Sequence, residues 1–275
     1  MVFLLFWVFP GKVILAPSFS VGFVTIHYYG LVIGLAVLCS WWLLAKNLPK
    51  VNLTKTQLEN IFIVILVSGF LGARIFHVFT DWEYYSHNFS EIFYVWHGGL
   101  AIFGAVIGAL IGLAIYNRKF LHQNFWSLVD WLIPGVVLGQ VIGRFGNLFN
   151  YELYGRPTDL PWKMFVPQTS QKSLIEVAQF YFHPLFLYES LAGLLILLVL
   201  LRYNDLSKKF GLVNSPGILF CIWLILYGIT RLFIEQLRIQ HSYIGDFNVN
   251  FIISAGMVIV GLVFYIKKYY ESKSA

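Results

Sequence analysis

The sequence predicts an all-α polytopic membrane protein with seven transmembrane helices, its N-terminus outside and its C-terminus in the cytoplasm. Three observations carry that prediction. The 275 residues are 59% hydrophobic and only 12% charged, with a mean hydropathy of +0.73, a composition foreign to soluble domains. Seven apolar runs approach or exceed the roughly 20 residues that a bilayer crossing needs: 24–45, 57–79, 94–116, 126–143, 184–201, 217–237 and 248–266. The basic residues, finally, fall mostly on alternate connections between those runs.

Taken in order, Met1 to Phe9 is apolar but has no basic start, and it runs into Pro10, Gly11 and Lys12 without a small-residue cleavage site. It therefore reads as an interfacial segment rather than a signal peptide. The first span opens on His27 and Tyr29, and Lys46, Lys50 and Lys55 join it to the second, which carries Arg74 near its far end. Asp81, Glu83 and Glu91 follow. The third span opens on Trp96–Gly104 and then repeats Gly104, Gly108 and Gly112 at four-residue spacing, the small-xxx-small pattern of closely packed membrane helices. Arg118 and Lys119 lead to the fourth span, which contains Pro134-Gly135. A long segment of mixed charge, Arg144 to His183, comes next; its part 156–183, with Pro161, Trp162 and Pro167, is expected to form a small external cap on a single domain spanning 1–275. Arg202, Lys208 and Lys209 lie between the fifth and sixth spans, and Lys267, Lys268 and Lys273 follow the seventh. These connections hold 11 of the 19 basic residues, and the positive-inside rule places them in the cytoplasm. The net charge of +6 thus belongs to cytoplasmic loops facing anionic lipid, and gives no reason to expect nucleic acid as a partner. Cys39 and Cys221 lie in apolar runs and read as small buried hydrophobes. No histidine pair shows metal-ligand spacing, so no metal is expected.

Four arginines border or interrupt the apolar runs: Arg74, Arg144, Arg231 and Arg238. A cation in hydrocarbon costs roughly 2.5–3.5 kcal/mol on insertion scales, so each needs a partner, a water cavity or an anionic ligand. In the predicted threading all four reach the outer leaflet, together with His27, Tyr29, the Gly98-Gly99 pair and the stretch His183–Glu189. An anion site is the functional reading; structural ion pairing is the alternative. In the sixth span Tyr227, Arg231, Glu235 and Arg238 follow at intervals of four, four and three, along one helical stripe. Glu235 and Arg238 suit a salt bridge along the helix, whereas Arg231 is expected to remain free for a phosphate, which a guanidinium grips with two parallel donors.

The segment Gly143–Gly155 (GRFGNLFNYELYG) gathers Arg144, Asn147, Asn150 and Glu152 directly after an apolar helix. Its glycines permit close backbone approach or positive φ. A re-entrant turn satisfying its own backbone would explain the asparagines and glycines, but not Arg144. Gly98-Gly99 would let a headgroup approach the backbone, and His97 reads as an interfacial residue. No nucleophile elbow and no phosphate-binding loop with a lysine is present. What remains suits electrostatic stabilisation and proton transfer on an amphiphilic substrate.

With these residues assembled, the chain resembles the bacterial prolipoprotein diacylglyceryl transferases. The resemblance runs through Ile26–Gly30, Gly72–Arg74, Trp96–Gly104, Gly143–Gly155, His183–Glu189 and Tyr227–Arg238, with Gly143–Gly155 the most specific block. It implies seven transmembrane helices, an outer-leaflet site in the bacterial inner membrane, and no metal or soluble cofactor. It also implies transfer of the diacylglyceryl group of phosphatidylglycerol onto the lipobox cysteine at a prelipoprotein signal peptide, forming a thioether and releasing glycerol phosphate. Under the resemblance Arg144 and Arg231 hold the phospholipid headgroup as catalytic and substrate-binding groups. Tyr29, which is also a catalytic candidate, shapes that pocket with Asn147, Glu152, Tyr227 and Glu235, and Arg74, Gly98 and Gly99 are further substrate-binding candidates. The chain departs from the family at Phe103, where a histidine or tyrosine is usual; a phenyl ring takes no proton, and His27 is the substitute candidate for activating the thiol. Competing classes are a transporter for an anionic solute, which would place its site near the midplane of repeated halves, and a non-enzymatic scaffold that binds headgroups.

Overall fold

The structure, a computed structural model, describes residues 16–167, 180–239, 243–244 and 247–274. The expected interfacial segment Met1 to Phe9 and residues 168–179 of the expected cap lie outside them. Seven helices among the described residues are long and apolar enough to cross a membrane, which makes the chain a multi-pass membrane protein. They are α1 (Tyr28–Lys46), α2 (Lys55–Thr80), α3 (Ile102–Tyr116), α4 (Phe125–Gly143), α5 (Leu185–Phe210), α6 (Ile218–Leu237) and α7 (Val249–Ser274).

The boundaries depart from expectation where backbone chemistry overrides hydropathy. α1 begins at Tyr28 rather than at 24, because Val24–His27 forms strand β2, paired antiparallel with β1 (Ser18–Val21). α3 begins at Ile102 rather than at 94: Gly98 and Gly99 adopt φ of 92° and 79°, left-handed values that end any right-handed helix. α5 and α7 run beyond their apolar stretches, so Arg202, Lys208 and Lys209 sit on helical turns and not in a loop. Cations in a last turn face unpaired carbonyls, which favours that extension.

The chain divides into two compact units, Leu44–Leu128 and the residues on either side of it. In the central unit, Thr54 starts α2 with a capping box: its hydroxyl accepts from the Gln57 N–H at 3.2 Å while its own N–H donates to Gln57 Oε1 at 2.9 Å. α2 and α3 pack through small residues, as the glycine spacing predicts. A methyl group on Gly72 would strike the Gly104 carbonyl, and one on Gly108 would strike the Ser68 carbonyl. After α3 the turn Asn117–Leu121 is closed by the Asn117 side chain, which donates to Gln123 O at 2.9 Å and accepts from Gln123 N at 3.0 Å.

In the other unit α4 is the central post. Ser40 of α1 donates to Gly135 O at 2.8 Å beside the proline of α4, and Ser190 of α5 donates to Val141 O at 2.9 Å. At the start of α6, Asp130 of α4 accepts from Gly217 N at 2.7 Å and Phe220 N at 3.0 Å, supplying a helix cap from a different helix. Between α4 and α5 lies a three-stranded antiparallel sheet ordered β3-β5-β4, built from Tyr154–Pro157, Tyr181–Pro184 and Met164–Phe165. It covers a core of Tyr151, Met164, Val166, Phe182 and Phe186.

Candidate active site

Within the unit built around α4, the charges expected to meet do so through a group the spacing did not single out. Arg144 follows α4, Arg231 lies on α6, and Glu189 stands between them on α5. Its two oxygens are divided: Oε2 is 2.5 Å from Arg144 Nη2, and Oε1 accepts from Arg231 Nη1 at 2.6 Å. The Glu189 side chain is 4% exposed, against 27% for Arg144 and 15% for Arg231. Arg231 is therefore not free, as the sequence suggested; a buried guanidinium without a partner would carry the full cost of desolvation. Glu189 was legible only as part of the block His183–Glu189. The signal that could have singled it out is a carboxylate at the start of an apolar helix, which needs a cation as surely as an arginine needs an anion.

A narrow cavity opens beside this triad. Gln140, Trp223, Tyr227 and Thr230 join Arg144, Glu189 and Arg231 in its wall, with Val137, Gly193 and Ile196 as the apolar side. Tyr227 is stacked on Trp223 with ring centroids 5.6 Å apart, which fixes its place on the wall. Gln140, Trp223 and Thr230 were not anticipated; polar and aromatic residues within a span carry no distinctive spacing.

Beyond the triad the stripe on α6 continues as expected for its outer part. Glu235 Oε2 lies 3.6 Å from Arg238 Nη1, and Glu235 Oε1 accepts from Asn248 at 3.0 Å and Asn250 at 3.4 Å. Arg238 sits within electrostatic reach of the triad. Burial, and then the like charge of Arg231, push its guanidinium below the ordinary arginine value, while Glu235 and Glu189 oppose that shift.

Of the two uses expected for the glycines of Gly143–Gly155, close approach is the one the structure shows. The positive-φ residues of that segment are Tyr151 (51°) and Leu153 (54°), not glycines. Such conformations cost of order 1–3 kcal/mol and persist only where surroundings enforce them. Here Tyr151 is buried in the core under the sheet, and Glu152 between the two strained residues has its Oε2 3.2 Å from Asn147 Nδ2. The glycines serve close approach instead. A methyl group on Gly146 would come within 2.8 Å of the Tyr29 ring, and one on Gly155 within 2.6 Å of the Leu237 carbonyl. Tyr29 of α1 is thereby packed against the turn that carries Arg144 and Asn147. His27, the last residue of β2, is exposed.

Arg74 belongs to the central unit and is 7% exposed. Nε donates to Ile92 O at 2.9 Å, Nη1 to Gly98 O at 2.6 Å and Gly99 O at 2.9 Å, and Nη2 to Glu91 O. Its carbon also lies 5.3 Å from the Tyr85 ring centroid. The guanidinium thus organises the Glu91–Gly99 loop. The left-handed Gly99 is required there, since a side chain would meet the His77 ring and Arg74 Nη1. His97 pairs with Glu91 at 2.8 Å, and Phe103 is exposed on α3. Among the described residues no cluster of His, Cys, Asp and Glu could hold a metal ion.

Comparison with known proteins identifies the family. The model of the prolipoprotein diacylglyceryl transferase family matches residues 17–267. A phosphatidylglycerol–prolipoprotein diacylglyceryl transferase of Thermosynechococcus vestitus is 33% identical over 93% of this chain and 93% of its own. Proteins of the same name from Fervidobacterium nodosum and Prochlorococcus marinus are 36% identical, over 94% of this chain and 87% of theirs, and 38% identical, over 86% and 80%. A match of this breadth, reaching from the β-hairpin before α1 into α7, means that the chain belongs to the prolipoprotein diacylglyceryl transferase family and is a transferase.

Proposed function

We propose that this protein transfers the diacylglyceryl group of phosphatidylglycerol to the lipobox cysteine of a prelipoprotein, in the outer leaflet of the bacterial inner membrane. The observation that carries the reading is the meeting of Arg144 and Arg231, from separate helical elements, on one buried carboxylate beside a cavity. Two guanidiniums so placed offer further donors for a phosphate whose charge grows as it leaves. In the transfer a sulfur–carbon bond forms at the glycerol carbon while that carbon's bond to the phosphate oxygen breaks. The electron pair leaves with the oxygen as glycerol phosphate, and the thiol proton passes to a base. Phe103 supplies none; exposed His27, in the same unit as the triad, is the group assigned to that step.

Tyr29, Asn147, Glu152, Tyr227 and Glu235 shape the headgroup pocket. Arg74 acts through the Gly98-Gly99 loop rather than as a phosphate ligand, since its donors already face four carbonyls. The strands β3–β5 form the described part of a cap within 156–183. Orientation follows the positive-inside rule, with the N-terminus outside.

The test is to incubate the purified chain with phosphatidylglycerol and a lipobox peptide and weigh the peptide. A diacylglyceryl mass gain on cysteine is expected, which neither a transporter nor a scaffold produces. Arg144→Ala should lower turnover by roughly 10²–10³, the effect of deleting one donor to a developing oxyanion, while remaining folded because Arg231 still pairs Glu189. An Arg144→Ala protein transferring at the wild-type rate overturns the assignment. His27→Gln should lower turnover by about 10² or more, the least expected of a lost general base, and unchanged turnover removes His27 from the mechanism.

A further inference from the structure

Glu189 presents a chemical puzzle for an anion site. A carboxylate 4% exposed occupies the place between two arginines where a phosphate would be drawn. Arg238 and Glu235 largely cancel each other at 3.6 Å, and Glu152 turns to Asn147 and does not line the cavity, so the charged residues that do line it, Arg144, Arg231 and Glu189, leave one positive charge there. Val137, Gly193 and Ile196 add apolar surface to the same cavity, Gly193 and Ile196 following Glu189 along one face of α5. In such surroundings an uncompensated charge is costly, and the preferred ligand is the one that brings the local sum to zero.

We propose that Glu189 is a specificity-determining residue: it sets the site to accept a singly charged phosphodiester headgroup and to shed the doubly charged phosphomonoester left after transfer. The inference rests on the anion-site reading above and extends it to product release. A phosphodiester carries one negative charge and neutralises the triad. When the carbon–oxygen bond breaks, the departing phosphate becomes a monoester, whose second ionisation near 6 makes it chiefly dianionic at neutral pH. That second charge has no counter-ion left and faces the Glu189 carboxylate. Without Glu189 the two guanidiniums would match the dianion, and the product would stay.

The experiment measures inhibition of transfer by two soluble probes, glycerol phosphate and its methyl ester, which remains a singly charged diester. In the full-length wild-type protein the methyl ester should inhibit at least tenfold more tightly than glycerol phosphate; the opposite order overturns the proposal. Glu189→Gln keeps volume and removes the charge. Its ratio of the two inhibition constants should shift at least tenfold toward glycerol phosphate, and its first turnover should outpace later ones. A structural role for Glu189 would weaken both probes together and leave the ratio unmoved, which also overturns the proposal. Glu189→Asp keeps the charge and should hold the wild-type ratio within about twofold; a tenfold change in Glu189→Asp refutes the role of charge even if Glu189→Gln does not fold. If neither probe inhibits and Arg144→Ala transfers normally, the anion-site reading itself has failed. If both inhibit with a ratio indifferent to Glu189, only this inference has.

Discussion

A histidine held against a hydroxyl in a tied-down segment couples its protonation to folding. Trp162 Nε1 donates to Tyr188 Oη at 2.8 Å, and His183 Nδ1 lies 3.0 Å from the same oxygen. Burial disfavours the charged imidazolium and lowers the pKa of His183 from the ordinary histidine value. Because the folded value lies below the unfolded one, the unfolded chain binds more protons in the window below about pH 6.5, so stability falls as pH falls through it and is fully retained above it. The segment tied down is the stretch around Trp162, adjoining α5 one residue from Glu189. Thermal unfolding in detergent should show a lower midpoint at pH 5.5 than at pH 7.5, and His183→Asn, which keeps an acceptor but does not titrate, should flatten that difference. An equally steep acid loss in the variant would assign it to other groups. At this scale the sequence was half legible: Arg144 and Arg231 stood out as cations in apolar runs, whereas Glu189, Tyr151 and Leu153 look ordinary until a third dimension shows what holds them.

Asp130 illustrates what a single side chain does for whole elements. Its carboxylate accepts from Gly217 N and Phe220 N, closing the start of α6 with a charge that also suits the positive end of that helix. The spacing gives this contact a further consequence. Arg144 lies 14 residues after Asp130 (144 − 130) and Arg231 lies 14 after Gly217 (231 − 217). At about 1.5 Å per residue, the backbones that carry the two arginines stand roughly 21 Å along their helices from the same anchor. One hydrogen-bonded junction at one end thus sets the relative height of two arginines at the other, where Glu189 needs both. Asp130→Ala should cost about 0.5–2 kcal/mol for the lost cap, read as a lower unfolding midpoint, and should reduce transfer more than that loss of folded protein explains. An unchanged midpoint would show that α6 is capped by something else. The helices themselves were legible as apolar runs, because spanning demands little beyond length and hydropathy. Their ends were not: Gly98 and Gly99 start α3 late, and the hairpin shortens α1, since turn chemistry is decided by φ and by strand pairing that hydropathy does not register.

Seven crossings among the described residues put residues 16 and 274 on opposite sides, and the charge pattern then argues for one of two threadings. Lys46, Lys50, Lys55, Arg118, Lys119, Lys208 and Lys209 lie in alternate connections or on the helix ends that flank them, while Asp81, Glu83 and Glu91 follow α2. Lys and Arg resist translocation in short connections, and acidic residues contribute little, so the proposed threading is the one that keeps the basic side in the cytoplasm. That threading puts Arg144 after an outward-going α4 and Arg231 near the end of an outward-going α6, where a substrate cysteine outside the membrane can reach them. The reverse threading would present the arginines and the cavity to the cytoplasm, and the proposed acceptor could not arrive from outside. Single cysteines placed in a background lacking Cys39 and Cys221 separate the two cases. Ser90, Lys119 and Ser272 are exposed positions on the α2–α3 connection, on the α3–α4 connection and near the C-terminus. A membrane-impermeant maleimide added to intact cells should label Ser90→Cys, and it should label Lys119→Cys and Ser272→Cys only after permeabilisation. Labelling in the reverse order would invert the molecule and leave the arginine site without its substrate.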